Sequence, residues 1–303
     1  MKYRDAGAFR MALEQRLKDR AAGDGARLAR DRKRVVFDRL LARLLAVAEG
    51  RWLLKGGFAL DLRLAARARS TKDIDVEWRA EEGELLDTLL DSAGHDAGDF
   101  FVFTIERAGA PEDRLGGSHR FRVSSSLAGR PFETFLLDVG FRSDDALVTD
   151  TLRTDDFLGF AGIEPVEIAA VPLELQVAEK LHAYTRTYEG HRPGTRVKDL
   201  VDLALIAELS SLDAAALRRE VDTIFTLRET HPPPAALPPP PSEWATPFRR
   251  LAEEVGAPEK LAAGHRDAAA LLDPVLSGEV TTGVWNPDER RWVADDDKTE
   301  RSA

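Results

Sequence analysis

The sequence contains no cysteine, which excludes disulfide bonds, thiolate metal sites and cysteine nucleophiles. It also lacks a run of about 18 apolar residues, the length that a membrane-spanning helix needs, and its first residues form no apolar signal-peptide segment. With 43% hydrophobic and 32% charged residues, the composition is typical of a globular protein in water. We therefore expect a cytoplasmic protein without a membrane partner.

Charge is unevenly distributed along the chain. The net charge is −10, but residues 1–44 contain 13 lysines and arginines against six aspartates and glutamates. The basic side chains concentrated there include Arg30, Arg32, Lys33, Arg34, Arg39 and Arg43. Two interpretations remain open: a basic surface that binds a phosphate backbone, and the solvated faces of two amphipathic helices.

A glycine pair, Gly56-Gly57, follows a short apolar segment that we predict to be a strand. Because glycine has no side chain, its backbone N–H groups can approach a polyphosphate closely. The N-terminus of the helix predicted to follow also favours negative charge. The alternative is an ordinary turn between two elements.

Two aspartates, Asp73 and Asp75, stand one residue apart in the next predicted strand. Alternation along a strand places both carboxylates on one face and directs Ile74 and Val76 into the core. Such carboxylates repel each other unless a cation lies between them, and hard oxygen ligands suit Mg²⁺. The alternative is a solvated strand edge. The glycine pair and the two aspartates, in this order, predict a metal-dependent nucleotidyl-transfer site.

Four segments of the chain resemble the motifs of one protein family. They are residues 55–60 (KGGFAL), 69–75 (RSTKDID), 179–183 (EKLHA) and 196–203 (RVKDLVDL). The segments resemble the nucleotidyltransferase superfamily that includes DNA polymerase beta. Within it they are similar to the AbiEii toxins of bacterial type IV toxin–antitoxin systems, which include the mycobacterial MenT-like toxins. The resemblance covers residues 51–209.

The resemblance implies an NTP substrate, a two-metal Mg²⁺ site and a set of site residues. The implied metal ligands are Asp73, Asp75 and Asp138. The implied catalytic residues are Asp73, Asp75, Lys180, Asp199 and Asp202. The implied nucleotide-binding residues are Lys55, Gly56, Gly57, Thr71 and Arg196.

Three of these assignments leave alternatives open. Asp138 lies in an otherwise apolar predicted strand, where an unpaired carboxylate is costly to bury, but it could also lie at the surface end of that strand. Asp199 and Asp202 share one face of a predicted helix. One would orient a cation while the other reaches the nucleotide or the acceptor, and the sequence does not divide these roles.

The hydrophobic pattern changes from strand-like to helical near Pro172. We predict an α/β (α+β) protein in three parts. Residues 1–171 would form a nucleotidyltransferase core with a mixed sheet and a basic helical N-terminal segment. Residues 172–285 would form a helical region that completes the active-site cleft, and residues 286–303 a mobile acidic tail.

The resemblance implies a toxin that transfers a nucleoside monophosphate from an NTP to an RNA. The expected acceptor is the 3′ end of tRNA, so that translation and growth are inhibited. A separately encoded antitoxin is also implied, and we expect the toxin to be a monomer. The alternatives are a protein or small-molecule acceptor, and a catalytically inactive nucleotide-binding regulatory module.

The second motif also contains two hydroxyl residues, Ser70 and Thr71. In relatives within the family an antitoxin kinase phosphorylates a serine at this motif, so the resemblance implies a control point here. A phosphate would add about −1.5 to −2 charge beside two carboxylates and repel the incoming nucleotide. The alternative is that Thr71 only stabilises the turn.

Overall fold

The computed structural model describes residues 1–108, 118–141, 148–186 and 196–294. The chain divides into two compact units, one of residues 1–63 and 70–171 and the other of residues 64–69 and 172–303. We call them the sheet unit and the helical unit. Over the described ranges, no helix combines the length and the apolar character needed to cross a membrane.

A mixed β-sheet forms the centre of the sheet unit. Its strands are β1 (Trp52–Lys55), β2 (Asp73–Trp78), β3 (Phe101–Arg107), β4 (His119–Leu127), β5 (Arg130–Phe141), β6 (Asp150–Arg153) and β7 (Glu167–Ala170). Among the described residues they form a seven-stranded sheet in the order β3-β4-β5-β2-β1-β7-β6. The β2–β5 and β1–β7 pairs are parallel and the other neighbouring pairs antiparallel. This architecture confirms the predicted α/β fold class with a mixed sheet.

Helix α2 covers the apolar face of this sheet. The helices of the sheet unit are α1 (Ala6–Ala21), α2 (Gly25–Ala48), α3 (Gly56–Leu64) and α4 (Leu85–Gly94). The ring of Phe37 on α2 lies 5.0 Å from that of Phe58 on α3 and 4.8 Å from that of Phe135 on β5. Ile74 and Val76 of β2 belong to the same buried cluster, so one face of β2 is fixed by the core.

The basic side chains of the N-terminal segment fall into two groups, since Arg16, Lys18 and Arg27 are among the exposed ones and Arg34, Arg39 and Arg43 are buried. The side chain of Arg43 is 1% exposed and donates to both carboxylate oxygens of the buried Asp99, each at 2.7 Å. Five further basic side chains of α2 are engaged with acidic residues: Arg30 and Arg34 with Asp61, Arg32 and Lys33 with Glu133, and Arg39 with Asp38. Much of the local positive charge therefore fixes α2 within the sheet unit.

The helical unit packs around helix α6. Its elements are α5 (Leu173–Thr185), α6 (Val197–Leu209), α7 (Ala214–Arg228), α8 (Ala245–Val255), α9 (Leu261–Ser277), β8 (Val284–Asn286) and β9 (Arg291–Val293). Between Val197 and Ala207, all side chains except Lys198 and Asp199 are buried, so α6 forms the centre of this unit.

The acidic C-terminal segment begins later than its composition suggests. We predicted a mobile tail from residue 286, but β8 and β9 form an antiparallel hairpin that extends to Val293. The hairpin is anchored by Trp285, which is buried and donates its indole N–H to the carbonyl of Ala207 at 2.8 Å. Trp292 packs against Trp285 with 5.7 Å between ring centroids. Two tryptophans in a polar segment were the overlooked sign that this segment packs against the helical unit. Residues 295–303 lie outside the described residues.

Candidate functional site

Strand β2 carries three acidic side chains on the sheet face opposite the core. Ile74 and Val76 are buried in the core, and Asp73 and Asp75 alternate with them and are partly exposed. Glu77 continues the same alternation and is buried. We call this side of the sheet the carboxylate face. Glu77 was not predicted to belong to this face, although the alternation D-x-D-x-E is visible in the sequence.

Four charged residues form a row across the carboxylate face. Asp75 on β2 lies opposite Asp138 on the parallel strand β5 and opposite Lys55 on the antiparallel strand β1. Asp138 in turn lies opposite Arg120 on β4. Because residues directly opposite on neighbouring strands share a face, the row reads Lys55, Asp75, Asp138, Arg120. Two carboxylates are thus flanked by a cation on each side.

Both cations of the row bind acidic side chains. Arg120 donates from Nε to Oδ1 of Asp138 at 2.6 Å and from Nη2 to Oδ2 at 2.7 Å. The Nζ group of Lys55, which the resemblance assigned to nucleotide binding, makes a salt bridge with Glu77. Neither Arg120 nor its pairing with Asp138 was predicted, because strand register cannot be read from a single strand's sequence.

The glycine pair makes room for the acidic strand. Gly56 has φ +66°, and a Cβ there would lie 2.1 Å from Oδ2 of Asp75. A Cβ on Gly57 would lie 2.6 Å from Oγ1 of Thr71. Both distances are too short for real atoms, so glycine is needed at each position for Asp75 and Thr71 to approach. Helix α3 begins at Gly56, so the pair also stands at a helix N-terminus.

The hydroxyl residues of the second motif differ in exposure. Thr71 is buried, and its Oγ1 donates to Oδ1 of Asp73 at 2.9 Å. Ser70 is exposed. Thr71 therefore orients the carboxylate of Asp73, while the hydroxyl of Ser70 is the one that another protein could reach.

The carboxylate face offers the oxygen donors that Mg²⁺ prefers. Asp73 and Asp75 present two carboxylates from one strand, and Asp138 lies directly opposite Asp75 with both oxygens engaged by Arg120. In the part of the chain that the structure describes, no group of three or more histidine or acidic side chains lies close enough to hold a metal ion. The carboxylate oxygens of Asp73 and Asp75 are suitable ligands for a divalent cation. Asp138 offers a third carboxylate, which Arg120 holds.

The third and fourth motifs meet in a charge cluster of the helical unit. Lys180 on α5 donates from Nζ to Oδ2 of Asp202 on α6 at 2.6 Å. Arg69 binds the same carboxylate through Nε at 2.9 Å and Nη2 at 3.0 Å. Asp199 lies 3.7 Å from Nζ of Lys180 and 3.2 Å from Nη1 of Arg196. We call these five residues the helical charge cluster.

Burial and pairing act in opposite directions on the two central groups of this cluster. Burial alone would lower the pKa of Lys180, but the charges of Asp202 and Asp199 offset this effect and raise it. Burial alone would raise the pKa of Asp202, but Lys180 and Arg69 more than offset it and lower that pKa. Both groups are therefore charged near neutral pH, and each holds the other in its ionised form.

The two aspartates of the fourth motif differ in accessibility. Asp202 is 2% exposed and accepts hydrogen bonds from two cations. Asp199 is partly exposed at the first turn of α6. Asp202 is therefore suited to hold Lys180 and Arg69 in place, while Asp199 is the carboxylate that a ligand can reach. Arg69, which stands in the second motif, received no role in the sequence analysis.

Comparison with known proteins identifies a family and a fold. The family model "Nucleotidyl transferase AbiEii toxin, Type IV TA system" matches residues 39–294. Among solved structures, the MenT4 nucleotidyltransferase toxin from Mycobacterium tuberculosis is similar with a TM-score of 0.58 and 21% identity, over 95% of this chain and 96% of that one. JHP933 from Helicobacter pylori gives a TM-score of 0.45 and 12% identity, over 82% and 93%. No curated protein sequence gives a significant match.

Proposed function

Because the chain belongs to the AbiEii family of nucleotidyltransferase toxins from type IV toxin–antitoxin systems, we propose that it modifies the 3′ end of tRNA. A hydroxyl of the RNA bonds to the α-phosphorus of an NTP, the bond to the β-phosphate breaks, and pyrophosphate leaves. A tRNA extended in this way cannot accept its amino acid, so translation and growth stop. The family also implies a separate antitoxin.

The observation that carries this proposal is the strand register. It places Asp75 directly opposite Asp138 and two residues along β2 from Asp73. We propose that these three carboxylates hold Mg²⁺, in a site for two ions. Bound Mg²⁺ would neutralise charge on the triphosphate and lower the pKa of the attacking hydroxyl. The hydrogen bond from Thr71 to Oδ1 of Asp73 supports the assignment because it fixes the direction of that carboxylate.

The remaining residues have proposed roles in binding. Backbone N–H groups at Gly56 and Gly57 bind the phosphates at the start of α3. In the helical unit, Lys180 supplies a positive charge suited to a phosphate group, and Asp202 keeps that charge in place. Asp199 serves the nucleotide or the acceptor, which divides the two roles that the sequence left open.

The choice of RNA as acceptor rests on the family resemblance. In the basic N-terminal segment, Arg34, Arg39 and Arg43 are buried in ion pairs and contribute nothing to a phosphate-binding surface. The acceptor is therefore the part of the proposal that an experiment must address first.

A labelling experiment separates the possible acceptors. The purified chain is incubated with Mg²⁺ and each of the four α-³²P-labelled NTPs, together with total RNA, a protein extract or an aminoglycoside. We expect label in small RNA, and sequencing of RNA 3′ ends should locate the added nucleotide on tRNA. The Asp75→Asn variant is the matched control and should transfer no label. Label in protein or in the aminoglycoside would show that the acceptor is not RNA. If no acceptor is labelled in the presence of Mg²⁺, the proposal is refuted.

A further inference from the structure

Two cations, Lys55 and Arg120, flank the carboxylates of the sheet face. Lys55 contacts Glu77, a residue outside the row. Arg120 binds within the row, and its fork-shaped guanidinium engages both oxygens of Asp138 at 2.6 and 2.7 Å. Asp138 is the carboxylate directly opposite Asp75. A carboxylate suited to a metal ion is thus held by an arginine of the neighbouring strand.

The chemistry of arginine makes this contact a competition with a metal ion. A guanidinium stays charged at every pH that a protein tolerates, so the pair cannot be released by titration. A divalent cation that takes an oxygen of Asp138 must share or displace the guanidinium, and the two positive charges repel each other. The side chains of Arg120 and Asp138 are 34% and 20% exposed, so the exchange requires no opening of the core.

A displaced guanidinium would stand beside the metal site, where an NTP brings its triphosphate. Arginine is suited to bind phosphate oxygens because its planar fork matches their geometry. We propose that Arg120 exchanges partners during the reaction: it holds Asp138 until a divalent cation takes that carboxylate, and then binds a phosphate oxygen of the NTP. This inference rests on the proposed metal-dependent transfer.

The exchange distinguishes Arg120 from an ordinary surface ion pair. An ion pair that only stabilises the sheet would change the melting temperature when broken and leave metal binding unaffected. The exchange instead predicts opposite effects of one substitution: removing Arg120 should strengthen metal binding and weaken triphosphate binding.

The experiment measures both effects without turnover. Mn²⁺ binding to the full chain is followed by titration calorimetry and by the loss of the free-ion electron paramagnetic resonance signal. We expect Arg120→Gln to bind Mn²⁺ roughly two- to fivefold more tightly, the scale of a partly exposed ion pair. Binding of inorganic tripolyphosphate in saturating Mg²⁺ should weaken at least about tenfold, the scale of a hydrogen bond to a charged group.

Strand β4 supplies a matched control two residues further along the same face. Arg122 lies opposite Leu136 rather than an acidic residue of β5, so Arg122→Gln removes the same charge without touching Asp138. It should change neither Mn²⁺ nor tripolyphosphate binding. Equal effects of the two variants would mean a general charge effect and would overturn the exchange.

The Asp75→Asn variant separates failure of the inference from failure of the proposed function. If the unsubstituted chain binds Mn²⁺, Asp75→Asn does not, and Arg120→Gln binds it no more tightly, the exchange alone is wrong. If neither the unsubstituted chain nor Arg120→Gln binds Mn²⁺, the metal assignment and the exchange fail together.

Discussion

Two groups of carboxylates in this chain differ in how their charge is compensated. In the helical charge cluster, Asp202 is buried and receives hydrogen bonds from Lys180 and Arg69, so its charge is matched within the fold. On the carboxylate face, Asp73 and Asp75 are partly exposed, and Asp75 lies opposite a third carboxylate, Asp138, on the neighbouring strand β5. The carboxylate of the first arrangement is buried and closed to ligands, whereas those of the second are partly exposed, so that an added cation can reach them.

The difference predicts that the two groups respond oppositely to substitution. Removing a carboxylate from a complete, buried ion network leaves uncompensated charge and destabilises the fold. Removing one from a set of neighbouring like charges relieves repulsion, and its cost falls on ligand binding. Substitutions in the helical charge cluster should therefore cost more stability than substitutions of Asp73 or Asp75 on the carboxylate face.

The largest expected effect on stability is that of Asp202→Ala. This substitution leaves Lys180 and Arg69 without their shared partner in a buried site, which costs about 3–5 kcal/mol. The measurement is the free energy of unfolding from urea denaturation. Asp199→Ala is the matched control on the same helix face, and its loss should be smaller because Asp199 is partly exposed. If the two variants lose the same unfolding free energy, Asp202 is no more important to the stability of the cluster than Asp199.

On the carboxylate face, Asp75→Asn and Asp73→Asn should each abolish transfer while leaving the fold intact. Outer partners of metal ligands alone are worth about 10–100-fold in activity, so a ligand itself should be worth more than about 100-fold. The unfolding temperature should stay constant or rise, because repulsion between the carboxylates falls. Near-normal transfer by either variant, assayed beside its melting curve, would refute the metal assignment.

The sequence predicted the parts of this molecule that local patterns determine. The mixed sheet, the AbiEii family and the nucleotidyltransferase class are confirmed. What it missed depends on register and tertiary pairing. The row from Lys55 to Arg120 needs four strands to be aligned. The burial of Arg43 needs Asp99, which is 56 residues away in sequence.

The glycine pair has a structural role that its sequence context does not reveal. The close approach of phosphates is one proposed reason for glycine at positions 56 and 57. The structure adds a requirement inside the protein, since a Cβ on either residue would collide with Asp75 or Thr71. No pattern around the pair could reveal this, because the colliding atoms belong to residues 14 or more positions away in sequence.

Gly56→Ala tests this requirement and should have an intermediate effect. The new Cβ would lie 2.1 Å from Oδ2 of Asp75 and must push that carboxylate aside. Transfer should fall, and the unfolding free energy should drop by about 1–2 kcal/mol from positive-φ strain and by roughly a further 1–3 kcal/mol from overpacking.

Gly50→Ala is the matched control for this glycine. Gly50 has φ +74°, similar to the +66° of Gly56, but a Cβ there meets no atom within 4 Å. Gly50→Ala should lose only the unfolding free energy that positive-φ strain costs, and it should keep full transfer. If both variants keep the activity of the unsubstituted chain, the position of Asp75 does not limit the reaction.

The smallest expected effects concern Thr71 and Ser70, which stand next to each other and differ in burial. Thr71→Val removes the hydrogen bond to Asp73 and should cost about 1 kcal/mol of stability with a severalfold loss of transfer. Ser70→Ala should change neither quantity.

Ser70→Glu adds a negative charge at an exposed position beside the acidic strand, so it should weaken transfer at an unchanged melting temperature. Thr71→Glu should lower both transfer and the melting temperature, because Thr71 is buried and a larger, charged side chain there must displace its neighbours. If neither glutamate variant impairs transfer, phosphorylation at this motif cannot control the enzyme through charge. If only Ser70→Glu does so without destabilising the fold, Ser70 is the residue at which an antitoxin kinase could act on the folded toxin.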